Sequence, residues 1–338
     1  MNIKEAISKI VGLKNLTEDE TRSVFNDIMS GDATSAQIGA FLTGLHMKGE
    51  TVDEITGAAK VMREKAVKIN VGSDRDVILD TCGTGGTGKG TFNISTVVAF
   101  VTAGCGVKVA KHGNRSASGL CGSADVMEAL GVKIDAPVEV VENAINEINI
   151  GFLFAPLFHT AMKYAAGPRK EIGFRTIFNL LGPLSNPAGA THQVMGIYDP
   201  ALTETIAEVL GKLGVKRACV VHGEDGFDEL SITGRTKVSE LKDGRVETYY
   251  VTPETFGIKI AKNADIKGGD AKKNVGRIRS VLNGEKGPAL DIVLMNASMA
   301  LVAAGCASDL KEGVEEALRS ITSGLAGKKL EQLIEATN

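Results

Sequence analysis

The chain has 338 residues, which at ~150 residues per domain suggests two domains and a large buried core. Its 38 basic and 41 acidic residues leave a net charge of -3, so no cationic surplus drives general binding to nucleic acid or an anionic membrane. Hydrophobic residues at 43% and charged residues at 23% exclude collagen, disorder and coiled coil for the whole chain. Aromatics at 4% with no Trp argue against a base-stacking platform.

The N-terminal stretch 1–20 lacks the apolar core of a signal peptide. Residues 1–66 show helical spacing and no strand-like alternation. Thr17-x-x-Glu20 and Thr51-x-x-Glu54 are capping boxes. Ser35 is positioned to cap a helix carrying Ile38, Phe41, Leu42 and Leu45 on one face. These features predict a small helical domain of about four helices over 1–68, completed by a helical segment near 160–185. Residues 69–338 form the large domain.

The pattern changes at 74–76. Short apolar runs at 77–79, 107–110, 152–155, 194–198 and 218–221 alternate with helical patterns at 95–103, 123–130, 137–148 and 202–213. That alternation predicts an α/β domain with a mainly parallel central sheet flanked by helices. Asp243-Gly244 between two further strand-like runs predicts a hairpin. From about 270 the chain reads helical, with 291–304 an apolar core helix. The longest apolar stretch, 97–110, is broken by Thr, Gly and Lys, so no membrane span is expected. The five cysteines, Cys82, Cys105, Cys121, Cys219 and Cys306, are odd in number and widely spaced, without C-x-x-C. Reduced thiols of a cytoplasmic protein are the simplest reading.

Five glycines fall between 83 and 90, directly after the first strand, and Asn93, Ser95 and Thr96 then open a helix. Glycine lets backbone amides converge on an anion, and a helix start offers free N–H groups. Two anion cradles about ten residues apart suit a ligand with two separated phosphate groups. The plainer alternative is a flexible loop with an ordinary N-cap. Neither a P-loop nor a dinucleotide fingerprint is present.

Three more segments stand at strand or helix ends. Lys111-His-Gly-Asn-Arg-Ser-Ala-Ser-Gly119, followed by Ser123, brings cations, amides and hydroxyls to a strand's C-terminal end. Lys111 and Arg115 can neutralise phosphate there. His112 reads as a hydrogen-bond donor, since no second His at helical spacing completes a metal pair; alone it would be an ordinary loop histidine. Asp228-Glu229, after another apolar strand, suits Mg²⁺ completed by water and substrate oxygens; the alternative is a solvated acidic turn. Arg169, in Gly167-Pro-Arg169, is a candidate clamp for a substrate carboxylate, or else a surface cation. The Gly-Pro and Asn-Pro pairs around it mark a helix end and loop.

Together, Gly83-Thr-Gly-Gly, Thr91-Phe-Asn-Ile-Ser-Thr96, Lys111-His-Gly-Asn-Arg, Gly122-Ser-Ala-Asp125, Arg175-Thr-Ile-Phe-Asn-Leu-Leu-Gly-Pro-Leu and Asp228-Glu-Leu closely resemble the anthranilate phosphoribosyltransferase family of tryptophan biosynthesis. The resemblance covers essentially the whole chain. It implies a cytoplasmic homodimer paired through its helical domains, with the site in the cleft between the two domains and two Mg²⁺ per subunit. The substrates it implies are phosphoribosyl diphosphate and anthranilate. By resemblance, Gly83, Gly86, Thr87, Thr91, Asn93, Ile94, Ser95, Thr96, Lys111, His112, Gly113, Asn114, Arg115, Ser116, Ala117, Ser118, Gly119 and Ser123 contact phosphoribosyl diphosphate. Gly83, Asn114 and Arg169 contact anthranilate, and Ser95, Asp228 and Glu229 hold the metal. Lys111, Asn114 and Arg169 are the expected catalytic residues. Thr87 departs from the family pattern, which has Asp after Gly-Thr-Gly-Gly.

Two competing readings have distinct requirements. A pyrimidine nucleoside phosphorylase shares the architecture but needs no metal pair, and Lys111-His-Gly-Asn-Arg and Asp228-Glu229 match it poorly. A non-catalytic nucleic-acid-binding relative should be more basic and should lack Arg169 and the acidic pair.

Overall fold

The computed structural model describes residues 1–72, 76–85, 90–116 and 119–338. Four helices come first: α1 (Ile3–Val11), α2 (Glu18–Ser30), α3 (Ser35–Lys48) and α4 (Val52–Lys65). Each starts with a capping box, Asn2 with Glu5, Thr17 with Glu20, Thr34 with Gln37 and Thr51 with Glu54. The α3 cap is Thr34 and not the expected Ser35. Gln37 stands three residues after Thr34, and the two exchange side-chain to backbone bonds of 3.3 and 2.9 Å. The helices meet over Phe25 and Phe41, whose rings contact edge-on at 6.1 Å.

Seven strands follow: β1 (Ile78–Gly83), β2 (Lys108–Gly113), β3 (Ile150–Phe154), β4 (His192–Gly196), β5 (Arg217–Gly223), β6 (Thr236–Lys242) and β7 (Arg245–Val251). They form one sheet in the order β3-β2-β1-β4-β5-β6-β7. The first five run parallel and the last two antiparallel, so the mainly parallel expectation holds. Asp243 and Gly244, with φ of 51° and 73°, form the expected hairpin turn, which requires positive φ at both central residues.

Between and after the strands lie α5 (Ile94–Gly104), α6 (Ser123–Leu130), α7 (Val138–Ile148), α8 (Ala155–Phe158), α9 (Lys163–Ile172), α10 (Phe178–Leu184), α11 (Thr203–Lys212), α12 (Ala271–Leu282), α13 (Pro288–Ala303), α14 (Leu310–Thr322) and α15 (Leu325–Thr337). Alternate residues of a strand enter different cores, as the period of two requires. Val194, Cys219 and Val221 join the core around α5 and α13, whereas Met195, Ala218 and Val220 join the one shared with α4, α10 and α11. Burial of both faces explains why these strands read as unbroken apolar runs.

Helices α9 and α10 turn back onto the first four. Phe178 meets Phe25 at 5.5 Å. Arg63 of α4 donates to the Leu184 and Leu213 carbonyls at 2.7 and 2.9 Å. Pro168 and Pro183 lie inside α9 and α10, so neither Gly-Pro pair ends its helix; α10 ends just ahead of Asn186-Pro187. The third strand stops at Phe154, because Ala155 already opens α8.

The chain passes from β1 outward to β2 and β3, then returns to the other side of β1 as β4. Such a reversal leaves a crevice at the carboxyl ends of the strands, where open α/β sheets bind ligands. β1, β2 and β5 all end there in segments singled out by sequence.

Candidate functional site

Lys111 lies in β2 and is almost wholly buried, at 1% exposure. Its Nζ donates to the Thr81 carbonyl at 2.5 Å and to Ser95 Oγ at 3.3 Å, so the charge points from β2 under β1 to the start of α5. Burial lowers its pKa, while Asp80, Cys82 and Glu229 pull it back up. Asp80 accepts from Asn186 Nδ2 at 2.8 Å and from the His112 amide at 3.3 Å. Burial pushes its carboxyl up to about 6 against those contacts.

The acidic pair sits on the turn after β5. The Asp228 carboxylate accepts from the Gly85 amide at 2.8 Å. Glu229 is half-buried; desolvation and then the Asp228 charge raise it to about 8, opposed by Lys111 and a Ser95 backbone bond. The β4 end makes room for this turn: a Cβ on Gly196 would lie 1.6 Å from the Asp228 carbonyl oxygen. A Cβ on Gly83 would lie 2.9 Å from Asp228 Oδ2. Asp228, Glu229, Ser95, Gly83 and Lys111 therefore form one cluster.

The start of α5 differs from the ordinary cap considered above. Asn93 occupies the cap position but makes no capping bond. Its amide instead donates to the Cys121 carbonyl at 3.2 Å and accepts from Asn274 Nδ2 at 2.9 Å, tying the helix start to α12 and to the loop before α6. Ile94 and Thr96 are buried, and Thr96 Oγ1 has no partner among the described residues. Thr91 bridges Lys267, and Gly90 accepts from the Gly268 amide at 2.7 Å. Gly86, Thr87, Ala117 and Ser118 lie outside the described residues.

Arg115 is already paired with α6. It reaches Asp125 at 3.0 Å and Glu128 at 2.8 Å, and its guanidinium lies 5.7 Å from the centre of the Phe154 ring. It holds the loop to the helix, so Lys111 is the buried cation of the cluster. Ser116 and Gly122 donate to Asp125 at 3.1 and 2.8 Å, and Gly119 to Ser116 Oγ at 2.7 Å. Ser123 Oγ donates to the Asn114 carbonyl at 3.4 Å. Gly113 has no room for a Cβ, which would meet Ser123 Oγ at 2.3 Å.

A cavity of about 410 Å³ adjoins this cluster, lined among others by His112, Asn114, His159, Arg169, Phe178 and Ser185. The Arg169 guanidinium lies 5.1 Å from the centre of the Phe178 ring, and burial lowers its pKa. The His112 and His159 rings are 5.1 Å apart, and each Nε2 is buried without a partner among the described residues. His112 Nδ1 lies 3.2 Å from the Gly182 carbonyl. A carbonyl only accepts, so Nδ1 carries the proton and Nε2 is an acceptor. Burial holds the His112 ring down to about 3, with the His159 ring second, and burial holds His159 at about 4.

Sequence reasoning missed His159, Asp80, Phe178 and three buried asparagines. Asn186 was visible only as loop punctuation before Pro187. Asn274 and Asn296 sit in terminal helices where nothing in the local pattern marks a site.

The donor set for a cation consists of oxygen atoms. Among the described residues no three His, Cys, Asp or Glu side chains gather as a metal cage. Glu229 feels the Lys111 charge, yet desolvation and the adjacent Asp228 carboxylate still raise it to about 8, so the pair lacks compensating positive charge. That charge deficit and the oxygen ligands fit Mg²⁺ completed by substrate oxygens.

Residues 4–66 match the family model described as "Glycosyl transferase family, helical bundle domain", and residues 75–327 match "Glycosyl transferase family, a/b domain". An anthranilate phosphoribosyltransferase of Desulfosudis oleivorans is 58% identical over 334 residues, 98% of each chain. The crystal structure of anthranilate phosphoribosyltransferase from Thermus thermophilus is similar with a TM-score of 0.93 at 44% identity, covering 98% of this chain and 99% of that one. The Saccharomyces cerevisiae anthranilate phosphoribosyltransferase in complex with PRPP and Mg has a TM-score of 0.90 at 27% identity, covering 99% of this chain and 97% of that one.

Proposed function

The chain belongs to the anthranilate phosphoribosyltransferase family, on the glycosyl transferase fold, and from that premise we propose which of its residues bind each substrate and how they act. The enzyme transfers the 5-phosphoribosyl group from phosphoribosyl diphosphate to the amine of anthranilate. The products are N-(5-phosphoribosyl)anthranilate and diphosphate, the second step of tryptophan synthesis from chorismate.

Breaking the C1–O bond leaves positive charge on the ribose and negative charge on the diphosphate. Stabilising both charges and aligning the nucleophile supply most of the catalysis. The observation that carries this reading is the buried Lys111 ammonium at the start of α5, opposite the acidic pair. Gly83, Gly86, Thr87 and Thr91, the α5 start at Asn93 to Thr96, the segment Lys111 to Gly119 and Ser123 enclose phosphoribosyl diphosphate. Lys111 opposes the charge of the leaving group. Asp228 and Glu229, with Ser95, would hold magnesium, two ions per subunit, which neutralises diphosphate charge when bound.

Anthranilate occupies the cavity beside Arg169, whose guanidinium matches a carboxylate bidentately. Gly83 and Asn114 complete its contacts. Its aromatic amine is neutral at pH 7, so no strong base is needed before attack. The two unpartnered Nε2 atoms can each accept an N–H of that amine, which leaves its lone pair free to face C1.

We divide the chain at residue 68, with α9 and α10 completing the helical domain. Dimerisation uses the α1–α3 face, where Val11, Leu13 and Met47 are 71%, 73% and 78% exposed. Large apolar side chains left in water on this side of the bundle suit an interface; Met47→Glu should convert a dimer to a monomer in light scattering. A cytoplasmic location suits these charged metabolites and the five free thiols.

Fluorescence detection of N-(5-phosphoribosyl)anthranilate from both substrates, with and without Mg²⁺, tests the whole reading. Formation that requires Mg²⁺ supports it. Phosphorolysis of a pyrimidine nucleoside instead, or no product, would sink it.

A further inference from the structure

Helix α13 is apolar and buried on nearly all sides, yet it carries Asn296 at 2% exposure. An amide is costly to bury unless it is hydrogen bonded. Asn296 Oδ1 accepts from the Leu230 amide at 3.0 Å, and its Nδ2 donates to the Leu230 carbonyl at 3.3 Å and to the Ile292 carbonyl at 2.9 Å. Leu230 is wholly buried, and it lies in an irregular segment beyond the end of β5. Asn296 therefore replaces the neighbouring strand that would otherwise satisfy both backbone groups.

Leu230 directly follows Glu229. On the other side, the Asp228 carbonyl rests on Gly196, and Asp225 accepts from Ser231 Oγ at 2.6 Å and from the Thr233 hydroxyl. The two acidic residues are thus pinned before, beneath and after, and α13 supplies the anchor after them. A generic core role would leave the choice of residue open, since an apolar side chain fills space as well. A side-chain amide carries its acceptor and its donor on separate atoms side by side, which is what the Leu230 N–H and C=O require.

We infer that Asn296 is a positioning residue that aims Asp228 and Glu229 through the Leu230 backbone. The inference rests on the assignment of magnesium to that pair.

The test compares the wild-type enzyme with Asn296→Ala, Asn296→Ser and Glu229→Gln. Mn²⁺ binding in the presence of phosphoribosyl diphosphate is read by electron paramagnetic resonance, and exchange of peptide 224–234 by hydrogen–deuterium mass spectrometry. Outer partners of metal ligands change affinity by about 10–100-fold, so both Asn296 variants should weaken Mn²⁺ binding by that range. They should speed exchange of the peptide and leave the anthranilate KM within about twofold of wild type. Serine keeps a polar atom in the niche but cannot span both Leu230 groups. Normal Mn²⁺ binding in both variants, alongside weakened binding in Glu229→Gln, overturns the role of Asn296 alone. Normal binding in Glu229→Gln removes the metal assignment and this inference with it. Failure of both Asn296 variants to fold also overturns it, because it makes Asn296 a residue of the fold.

Discussion

The carboxylate of Asp228 accepts a hydrogen bond from the Gly85 amide at 2.8 Å. The acidic turn after β5 and the glycine segment after β1 are thereby held together across β4. The segment proposed to bind diphosphate and the pair proposed to hold its counter-cation meet through this contact, so a change on either side reaches the other.

Two glycines separate the parts of that contact. A Cβ at Gly83 is too close only to Asp228 Oδ2, the far end of a side chain at 2.9 Å, and keeps ordinary contact at 3.5 Å with the Asp228 and Gly196 carbonyl oxygens, whereas a Cβ at Gly196 collides with the Asp228 backbone. Gly83→Ala should displace the carboxylate, raise the Mg²⁺ requirement and barely move the melting temperature. Gly196→Ala must shift the turn itself, with an overpacking cost of about 1–3 kcal/mol and a loss of about 100-fold or more in kcat/KM. Parallel melts and Mg²⁺ titrations distinguish the two. Wild-type activity in Gly196→Ala would falsify the close approach.

Arg169 faces the cavity with its guanidinium 5.1 Å from the centre of the Phe178 ring. A charged hydrogen bond contributes about 1.5–3 kcal/mol, so Arg169→Ala should raise the anthranilate KM about 10–100-fold. The phosphoribosyl diphosphate KM should change little. Arg169→Lys should recover only part of the loss, because an ammonium cannot form the bidentate fork. Steady-state kinetics with each substrate varied in turn decide it; equal changes in both constants refute the assignment.

Glu54 is wholly buried in the helical bundle. It pairs with Lys48 at 2.9 Å and accepts from the Leu16 amide at 2.9 Å and the Thr51 amide at 2.8 Å. Lys48→Met removes the cation and leaves a buried carboxylate, which costs about 3 kcal/mol when a buried pair is broken. Urea denaturation should show that loss, while kcat/KM stays at the wild-type level below the transition. A stability change under about 0.5 kcal/mol, the range of ordinary surface substitutions, contradicts the prediction.

Much of this molecule was readable in advance because local rules agree with the fold. Thr17 and Thr51 cap their helices, Asp243-Gly244 turns the hairpin, the apolar run at 218–221 lies within β5, and the run at 107–110 leads into β2, which starts at Lys108. The candidate site was legible where chemistry concentrates in one stretch, as at Lys111 and Asp228-Glu229, which the fold brings into one cluster. It was unreadable where partners come from distant elements. Arg115 looks free in sequence, but Glu128, thirteen residues on, neutralises it. Asn93 looks like a cap, but its partner Asn274 is 181 residues away. His159 has no motif at all; only the fold brings it against His112.

That histidine pair gives stability a pH dependence that can be isolated by substitution. Burial holds His159 at about 4 in the folded chain, against about 6.5 when unfolded. The folded ring is neutral while the unfolded ring takes a proton below pH 6.5. Its favourable contribution is therefore complete above pH 6.5 and is lost as pH falls toward 4. Asp80 and Glu229 work in the opposite sense, because their folded values, about 6 and about 8, lie above the unfolded ones. Their contributions are lost as pH rises through those values, so the wild-type profile mixes both signs. Comparison with His159→Gln cancels the carboxylates and leaves the histidine. The variant keeps an amide that can donate to the Ser185 carbonyl in place of the ring. It should be no more stable than wild type at pH 7.5, and should gain on it by up to about 1.4 kcal/mol per pH unit below 6.5. Urea denaturation at pH 7.5, 6 and 5 measures the gap between the two proteins. A gap that stays constant over that range means that His159 is not held neutral by its burial.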